Sequence, residues 1–291
     1  MDTFITLLFS GLTLGAIYTL VSLGIVVLQK ATGVINAAQF GLVALGAYLA
    51  FWASTDLGLP LVLASVLAIA ILGVIGVVLE RLTYAPLRSK PIDSVFLATL
   101  AGGFAMVGLI VLWYNADPRG LHSPLGYGTV SILGGTVPKH SLLVLAVSLL
   151  AVLGLSLAFN RTSFGRQVRA LAADRNTARL YGVAANKLSI AAFALASAMA
   201  GLAGVLLGPI AALTPEMGLA PMLFAFGAAI IAGFGRLWGV VGGAMLLGLV
   251  EQLAAGYIAP DFRQAYPFVA ILLILALRPE GLFGGESSVR L

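Results

Sequence analysis

The sequence predicts an all-α, polytopic transmembrane helical bundle of about eight to nine segments, some of them broken or re-entrant. Three observations carry that expectation. Hydrophobic residues make up 60% of the 291-residue chain and charged residues 9%, and the mean hydropathy is +1.08; soluble domains carry about 25% charged residues. Several apolar runs approach the roughly 20 residues that cross a ~30 Å hydrocarbon core as a helix. Glycine occupies 35 positions, which suits close approach of helix backbones in lipid. The short alternating segments of a membrane β-barrel are not in the pattern.

From the N-terminus, apolar runs and polar breaks mark nine segments: 4–28, 33–53, 60–79, 93–113, 141–159, 188–211, 219–235, 237–257 and 267–278. Met1-Asp2-Thr3-Phe4 carries no positive charge, so the first run is expected to remain as a span. It contains Gly11-Leu-Thr-Leu-Gly15, and the same spacing recurs at Gly204/Gly208 and Gly239/Gly243. Such pairs admit a second backbone, from this chain or from another subunit. The second segment opens at Gly33 and carries Asn36 and Gln39, which, three apart, would share a helical face. Amides inside a bilayer need a partner or a water-filled path. Two readings follow: bonds to neighbouring backbone, or the lining of a translocation pathway. Segments 33–53, 219–235 and 267–278 are short, or interrupted by Gly, Pro or polar residues, and are the candidates for broken or re-entrant helices.

Pro86 and Pro91 argue against continuous helix over 80–92. The long loop 114–140 holds both histidines, His122 and His140; eighteen residues apart and without an acidic cluster, they suggest no metal site. The stretch Ala191–Gly204 is nearly all small residues, as a tightly packed interior helix requires. Further on, Gly233 and Gly235 flank Phe234, and Arg236 and Trp238 follow. This reads as a helix pair that dips and returns on interfacial anchors. Glu251 is the one acid well inside an apolar segment; it either has a structural partner or belongs to the pathway.

If the connections alternate sides, thirteen of the sixteen basic residues fall on one side, and only Arg119, Lys139 and Arg263 on the other. The positive-inside rule then puts the C-terminus in the cytoplasm and the N-terminus outside. The net charge of +5 is therefore read as orientation rather than nucleic-acid affinity. The absence of cysteine excludes disulfides and thiolate chemistry. There is no GxxxxGK[ST] loop, no zinc spacing and no credible Ser/His/Asp set, so no catalytic residue, cofactor or metal is expected. A membrane transport or channel component that draws its energy from elsewhere remains.

The longest polar stretch is 160–187, in which Arg161, Arg166, Arg169, Arg175, Arg179 and Lys187 stand against one acid, Asp174. Helix formers fill 168–173 and 176–180. Asp174 and Asn176 offer N-cap chemistry, and Gly182 a C-cap, for a short helix running to Tyr181. An apolar and aromatic tip with a cationic rim suits docking into a cleft on a soluble partner. It suits equally a helix lying on anionic headgroups.

The run Gly165-Arg-Gln-Val-Arg-Ala-Leu-Ala-Ala-Asp-Arg-Asn-Thr-Ala-Arg-Leu-Tyr-Gly-Val183, followed by Phe193-Ala-Leu-Ala196 and Ala200-Gly-Leu-Ala-Gly204, resembles the permease subunits of branched-chain amino-acid ABC importers of the LivH type. Val34-Ile-Asn-Ala-Ala-Gln39 with Leu45-Gly-Ala-Tyr48, Tyr84-Ala-Pro-Leu-Arg88, Leu247-Gly-Leu-Val-Glu251 and Arg278-Pro-Glu-Gly-Leu-Phe-Gly284 are similar to further family motifs, so the resemblance spans nearly the whole chain. It implies one permease domain over 1–291 in the bacterial inner membrane, importing branched-chain or other hydrophobic amino acids. Within it, 160–187 would be the cytoplasmic coupling loop. Ala173, Asp174, Arg175, Ala178, Leu180, Tyr181, Gly182 and Val183 would form the coupling helix seated in an ATPase. Asn36, Gln39, Gly233 and Gly235 would contribute to the pathway, for which Glu251 is a further candidate. The implied partners are a second related permease subunit, two ABC ATPase subunits, an extracytoplasmic solute-binding protein and the lipid bilayer.

The chain departs from the family in two places. The usual Asn-Phe-Ala-His/Gln-Gly-Glu is here Asn36-Ala-Ala-Gln-Phe-Gly41, without the acid, and Gly-Gly-x-Gly-Ser is here Ala232-Gly-Phe-Gly-Arg236. These keep open a small polar solute such as urea or an amide. A secondary transporter or channel acting alone is the rival class.

Overall fold

A computed structural model describes residues 2–132, 134–233, 237–279 and 281–282. In order, the helices are α1 (Asp2–Thr32), α2 (Gln39–Thr55), α3 (Leu61–Leu79), α4 (Ala85–Leu87), α5 (Ile92–Tyr114), α6 (Lys139–Arg161), α7 (Ser163–Ala173), α8 (Arg175–Leu180), α9 (Ala185–Leu207), α10 (Leu219–Ile231), α11 (Leu237–Tyr257) and α12 (Ala265–Leu277). Among the described residues, six helical stretches are long and apolar enough to cross a membrane, while α2, α10 and α12 are shorter apolar helices. The expected all-α multi-pass bundle is the observed fold, and its three short members are the three segments read as interrupted.

Local structure departs from expectation at three points. Residues 33–38 are not helical, and α2 starts only at Gln39. Asn36 folds its Oδ1 onto the Ala38 N–H at 2.9 Å, so Asn36 and Gln39 do not share a helical face. Over 80–92 the expected break falls at 88–91, ahead of α5, but the helix first continues past Pro86 to Leu87. α3 passes through a π-helical turn, Glu80–Tyr84, into α4, with the Ala85 N–H donating to the Glu80 carbonyl. The wider turn re-registers the backbone bonds just ahead of Pro86, which has no N–H to give. Finally, loop 114–140 contains an antiparallel hairpin, β1 (Thr129–Ile132) with β2 (Gly135–Pro138), paired Thr129 to Pro138 and Ile132 to Gly135.

The contacts group the chain into two units. One comprises Gly24–Pro124 and Leu150–Leu219. In it α2 packs on α3, α5 and α9, and α3 packs on α9. The small residues of α9 make this possible: a Cβ on Gly46 would lie 2.6 Å from the Gly201 Cα, and one on Gly204 would run into the Val43 carbonyl oxygen. Gly204→Leu is therefore expected to cost at least the roughly 1–3 kcal/mol of an overpacked core, because backbone is the obstacle. Thermal unfolding of the purified chain in detergent should show a clearly lowered midpoint.

The other unit comprises Met1–Leu23, Leu125–Leu149 and Ala220–Leu291. Here the Gly11/Gly15 pair meets α11: a Cβ on Gly15 would lie 2.7 Å from the Met245 Cα, and one on Gly11 2.9 Å from the Leu249 Cα. These glycines serve packing within the chain. The Thr136 N–H donates to Thr6 Oγ1 at 3.1 Å, fastening the hairpin to the start of α1.

Candidate functional site

Within the basic loop, α7 lays Gly165, Val168 and Leu171 inward and leaves most of its polar residues exposed. The chain then turns sharply at Asp174, whose extended backbone ends α7 and caps α8. Asp174 Oδ1 accepts from the backbone N–H groups of Asn176 and Thr177 at 2.8 and 3.1 Å, and Oδ2 accepts from Thr177 Oγ1 at 2.6 Å. The other end closes with a Schellman motif. Gly182 N–H donates to Arg179 O and Val183 N–H to Ala178 O, with Gly182 at φ +82°. Six residues are too few to hold a helix in water by propensity alone, so the two caps define this one. Ala178 is buried beneath it, whereas Leu180 and Tyr181 are each 87% exposed.

The hydrogen bonds from the Thr177 hydroxyl, and then from the Thr177 and Asn176 amides, hold the Asp174 carboxyl below the usual carboxylate range. A lowered folded-state pKa means the cap contributes fully above the unfolded value near 4 and is lost as pH falls through the folded value. Asp174→Ala removes the cap at every pH. Amide hydrogen exchange at residues 176 and 177 is expected to accelerate severalfold at pH 7 in this variant, with α7 unchanged.

The first residue of α8 reaches into its own unit. Arg175 donates through Nη1 to the Thr32 carbonyl and through Nη2 to Tyr84 Oη at 2.6 Å, with its guanidinium 6.0 Å from the Tyr84 ring centre. Tyr84 Oη in turn donates to the Thr32 carbonyl at 3.4 Å. Arg175 thus joins α8 to the end of α1 and to the π-helical turn. Immediately beyond Thr32 lies the non-helical segment 33–38. Its Val34 N–H donates to Thr32 Oγ1 at 3.3 Å, and its Ala37 N–H to Thr99 Oγ1 on α5 at 3.1 Å. Asn36 and Gln39 are fully buried. Asn36 Nδ2 and both amide atoms of Gln39 have no hydrogen-bond partner among the described residues. Buried amides normally find partners, and each one left unmatched costs about 1–3 kcal/mol.

In the other unit, Glu251 is buried, with both oxygens engaged: Tyr18 Oη donates to Oε2 at 2.5 Å and Arg263 Nε to Oε1 at 2.8 Å. Gly233 follows α10 at φ +73°, a left-handed turn that suits glycine. Gly235, with Phe234 and Arg236, lies outside the described residues, as do Glu280 and residues 283–291.

Two contacts had no counterpart in the sequence reading. One is Arg175 on Tyr84, although Tyr84 was visible in a motif. The other is Ser189 Oγ donating to the buried Glu80 Oε1 at 2.6 Å, although Glu80 read as a loop residue. Long sequence separation hid both.

Residues 7–277 match the family described as the branched-chain amino acid transport system / permease component. Among curated relatives, the high-affinity branched-chain amino acid transport system permease protein BraD of Pseudomonas aeruginosa is 28% identical over 290 residues, covering 95% of this chain and 94% of that one. LivH of Escherichia coli K12, a permease protein of the same description, is 27% identical over 294 residues, covering 97% and 96%. A solved structure, PsaBC from Streptococcus pneumoniae in complex with Fab, aligns with a TM-score of 0.51 at 13% identity, covering 96% of this chain and 93% of that chain, a likeness of fold alone.

Proposed function

The chain belongs to the family of permease components of branched-chain amino acid transport systems, and from that premise we propose that it carries branched-chain or similar hydrophobic amino acids inward across the bacterial inner membrane, driven by ATP hydrolysed on partner subunits. It works beside a second related permease, two ABC ATPase subunits and an extracytoplasmic solute-binding protein. The N-terminus faces outward and the C-terminus the cytoplasm, in keeping with the positive-inside charge distribution.

One observation carries the coupling half of this reading. A doubly capped helix presents Leu180 and Tyr181 almost wholly to solvent, and its first residue is bonded to the end of a long membrane helix. Exposed large apolar side chains at the tip of a charged loop are what a partner cleft would bury. Closure of the ATPase pair then moves α8, and Arg175 transmits the movement to Thr32 and the segment 33–38. That segment ends at Gln39, so a shift of α8 changes the surroundings of the unmatched amides of Asn36 and Gln39, which serve the pathway. Gly233 supplies a bend after α10, and Gly235 stays a pathway candidate on its sequence motif alone. Glu251 braces its unit through Tyr18 and Arg263.

The test is uptake of radiolabelled leucine into proteoliposomes. Uptake is expected only when the second permease, the ATPases, the binding protein and ATP are all present. Flux through this chain alone, driven by an ion gradient or potential, would overturn the reading. Uptake of urea or a short amide but not leucine would replace the solute while leaving the coupling intact.

A further inference from the structure

Four cations, Arg88, Lys90, Arg175 and Arg179, border one cavity of about 320 Å³ beside α8. Arg88 and Arg179 also border a wider hollow of about 770 Å³. Two of the four are fixed in place by neutral acceptors: Arg175 by the Thr32 carbonyl and Tyr84 Oη, and Arg88 by Asn186 Oδ1 at 2.6 Å. Hydrogen bonds to neutral oxygen orient a guanidinium and leave its charge uncompensated. None of the four makes an ion pair among the described residues, whose pairs are Arg81 with Glu80 and Arg263 with Glu251. Asp174, the nearest acid along α8, turns its carboxylate to Thr177 and Asn176, and among the described residues no carboxylate lines the cavity. Pre-oriented, uncompensated guanidinium groups around a hollow suit an anion with several oxygens, a phosphate above all.

The rest of the wall says which phosphate. Ile92 and Val95, in the first turn of α5, line the same cavity. From Ile92 the i, i+4 ridge of α5 runs on through Phe96 and Phe104, 38% and 57% exposed, away from the charged end along the apolar span. A cationic seat that opens onto an exposed apolar stripe fits a ligand with an anionic head and a hydrocarbon tail. We propose that this cavity seats the phosphodiester head of an anionic phospholipid, with its acyl chains along α5. Basic pockets between membrane helices are a recurrent way to hold such heads. The site lies beside α8, so its occupancy would add to the forces that set the position of Arg175 and Arg179.

The experiment embeds the full-length chain in nanodiscs of phosphatidylglycerol and phosphatidylethanolamine, re-extracts it gently and measures bound lipid by native mass spectrometry. The wild type is expected to retain phosphatidylglycerol in excess of its bulk share. The Arg88→Gln/Lys90→Gln double variant is expected to lose that excess by about tenfold or more. Arg88→Lys/Lys90→Arg, which keeps both charges, should retain it. Arg161→Gln/Arg166→Gln, equally basic but outside the cavity, should also retain it. No enrichment in the wild type, or equal loss from the Arg161/Arg166 pair, would reduce the effect to diffuse surface charge and overturn the proposal. Displacement of the lipid by millimolar inorganic phosphate would make it a soluble-anion site instead. Loss of the bound phosphatidylglycerol when the ATPase subunits are added would give the seat to a protein partner.

Discussion

Exchanging Leu180 and Tyr181 together for aspartate is expected to abolish co-purification of the chain with its ATPase subunits while leaving its own folding intact. Both side chains are 87% exposed, so the isolated chain loses almost no packing when they change. Surface substitutions of that kind usually fall within about 0.5 kcal/mol in stability. In the proposed assembly the same two residues would be the apolar anchors of the contact. Truncating an anchor at the centre of an interface typically costs about 2 kcal/mol or more, and a carboxylate in its place adds a desolvation cost. Even with allowance for non-additivity, at least a hundredfold loss of affinity is expected. Size-exclusion chromatography of the detergent-solubilised chain, alone and mixed with the ATPase, separates the two quantities. Unchanged assembly would remove α8 from the interface.

Arg175→Gln is expected to do the opposite: assembly and ATP hydrolysis persist while solute uptake falls by about tenfold or more. The side chain spans from α8 to the Thr32 carbonyl and Tyr84 Oη, a reach and fork that glutamine cannot reproduce. A hydrogen bond to a charged group contributes about 1.5–3 kcal/mol. Its partial exposure puts Arg175 at the lower end of that range. The effect on stability is thus modest, whereas the proposed mechanical link between α8 and segment 33–38 would be cut. Arg175→Lys keeps the charge but offers a single point of attachment, so it should restore uptake only in part. The informative quantity is the ratio of solute moved to ATP hydrolysed. A parallel fall of both would point to general damage instead of uncoupling.

Most of the bundle was legible because hydrocarbon must be matched by hydrocarbon, and each of the nine apolar runs overlaps one of the nine apolar helices among the described residues. What stayed hidden was decided by distant neighbours. The Gly and polar residues of 33–53 mark it as interrupted but not where it breaks: its first six residues are held out of the helix by a threonine hydroxyl 62 positions away and by the Thr32 hydroxyl. Pro86 and Pro91 mark the break within 80–92, which falls at 88–91, but not the π-helical turn that lets the helix pass Pro86 first. The hairpin at 129–138 had a signal in Gly134-Gly135 between β-branched residues, which the helical composition of the rest obscured. The caps of α8 were readable from Asp174 and Gly182, since both are local motifs. The role of Arg175 was not, because its charge was already accounted for by membrane orientation. That explanation holds for the sign of the charge and says nothing of its two acceptors.

The central claim, that the tip of α8 is where the ATPase takes hold, is tested most directly with one introduced thiol. The chain has no cysteine, so Tyr181→Cys is the only reactive position in it. In the isolated protein this thiol should react rapidly with a water-soluble maleimide. On assembly with the ATPase it should become protected, and a short bifunctional reagent should join it to that subunit in high yield. Equal reactivity with and without the ATPase, and no cross-linked product, would contradict the account.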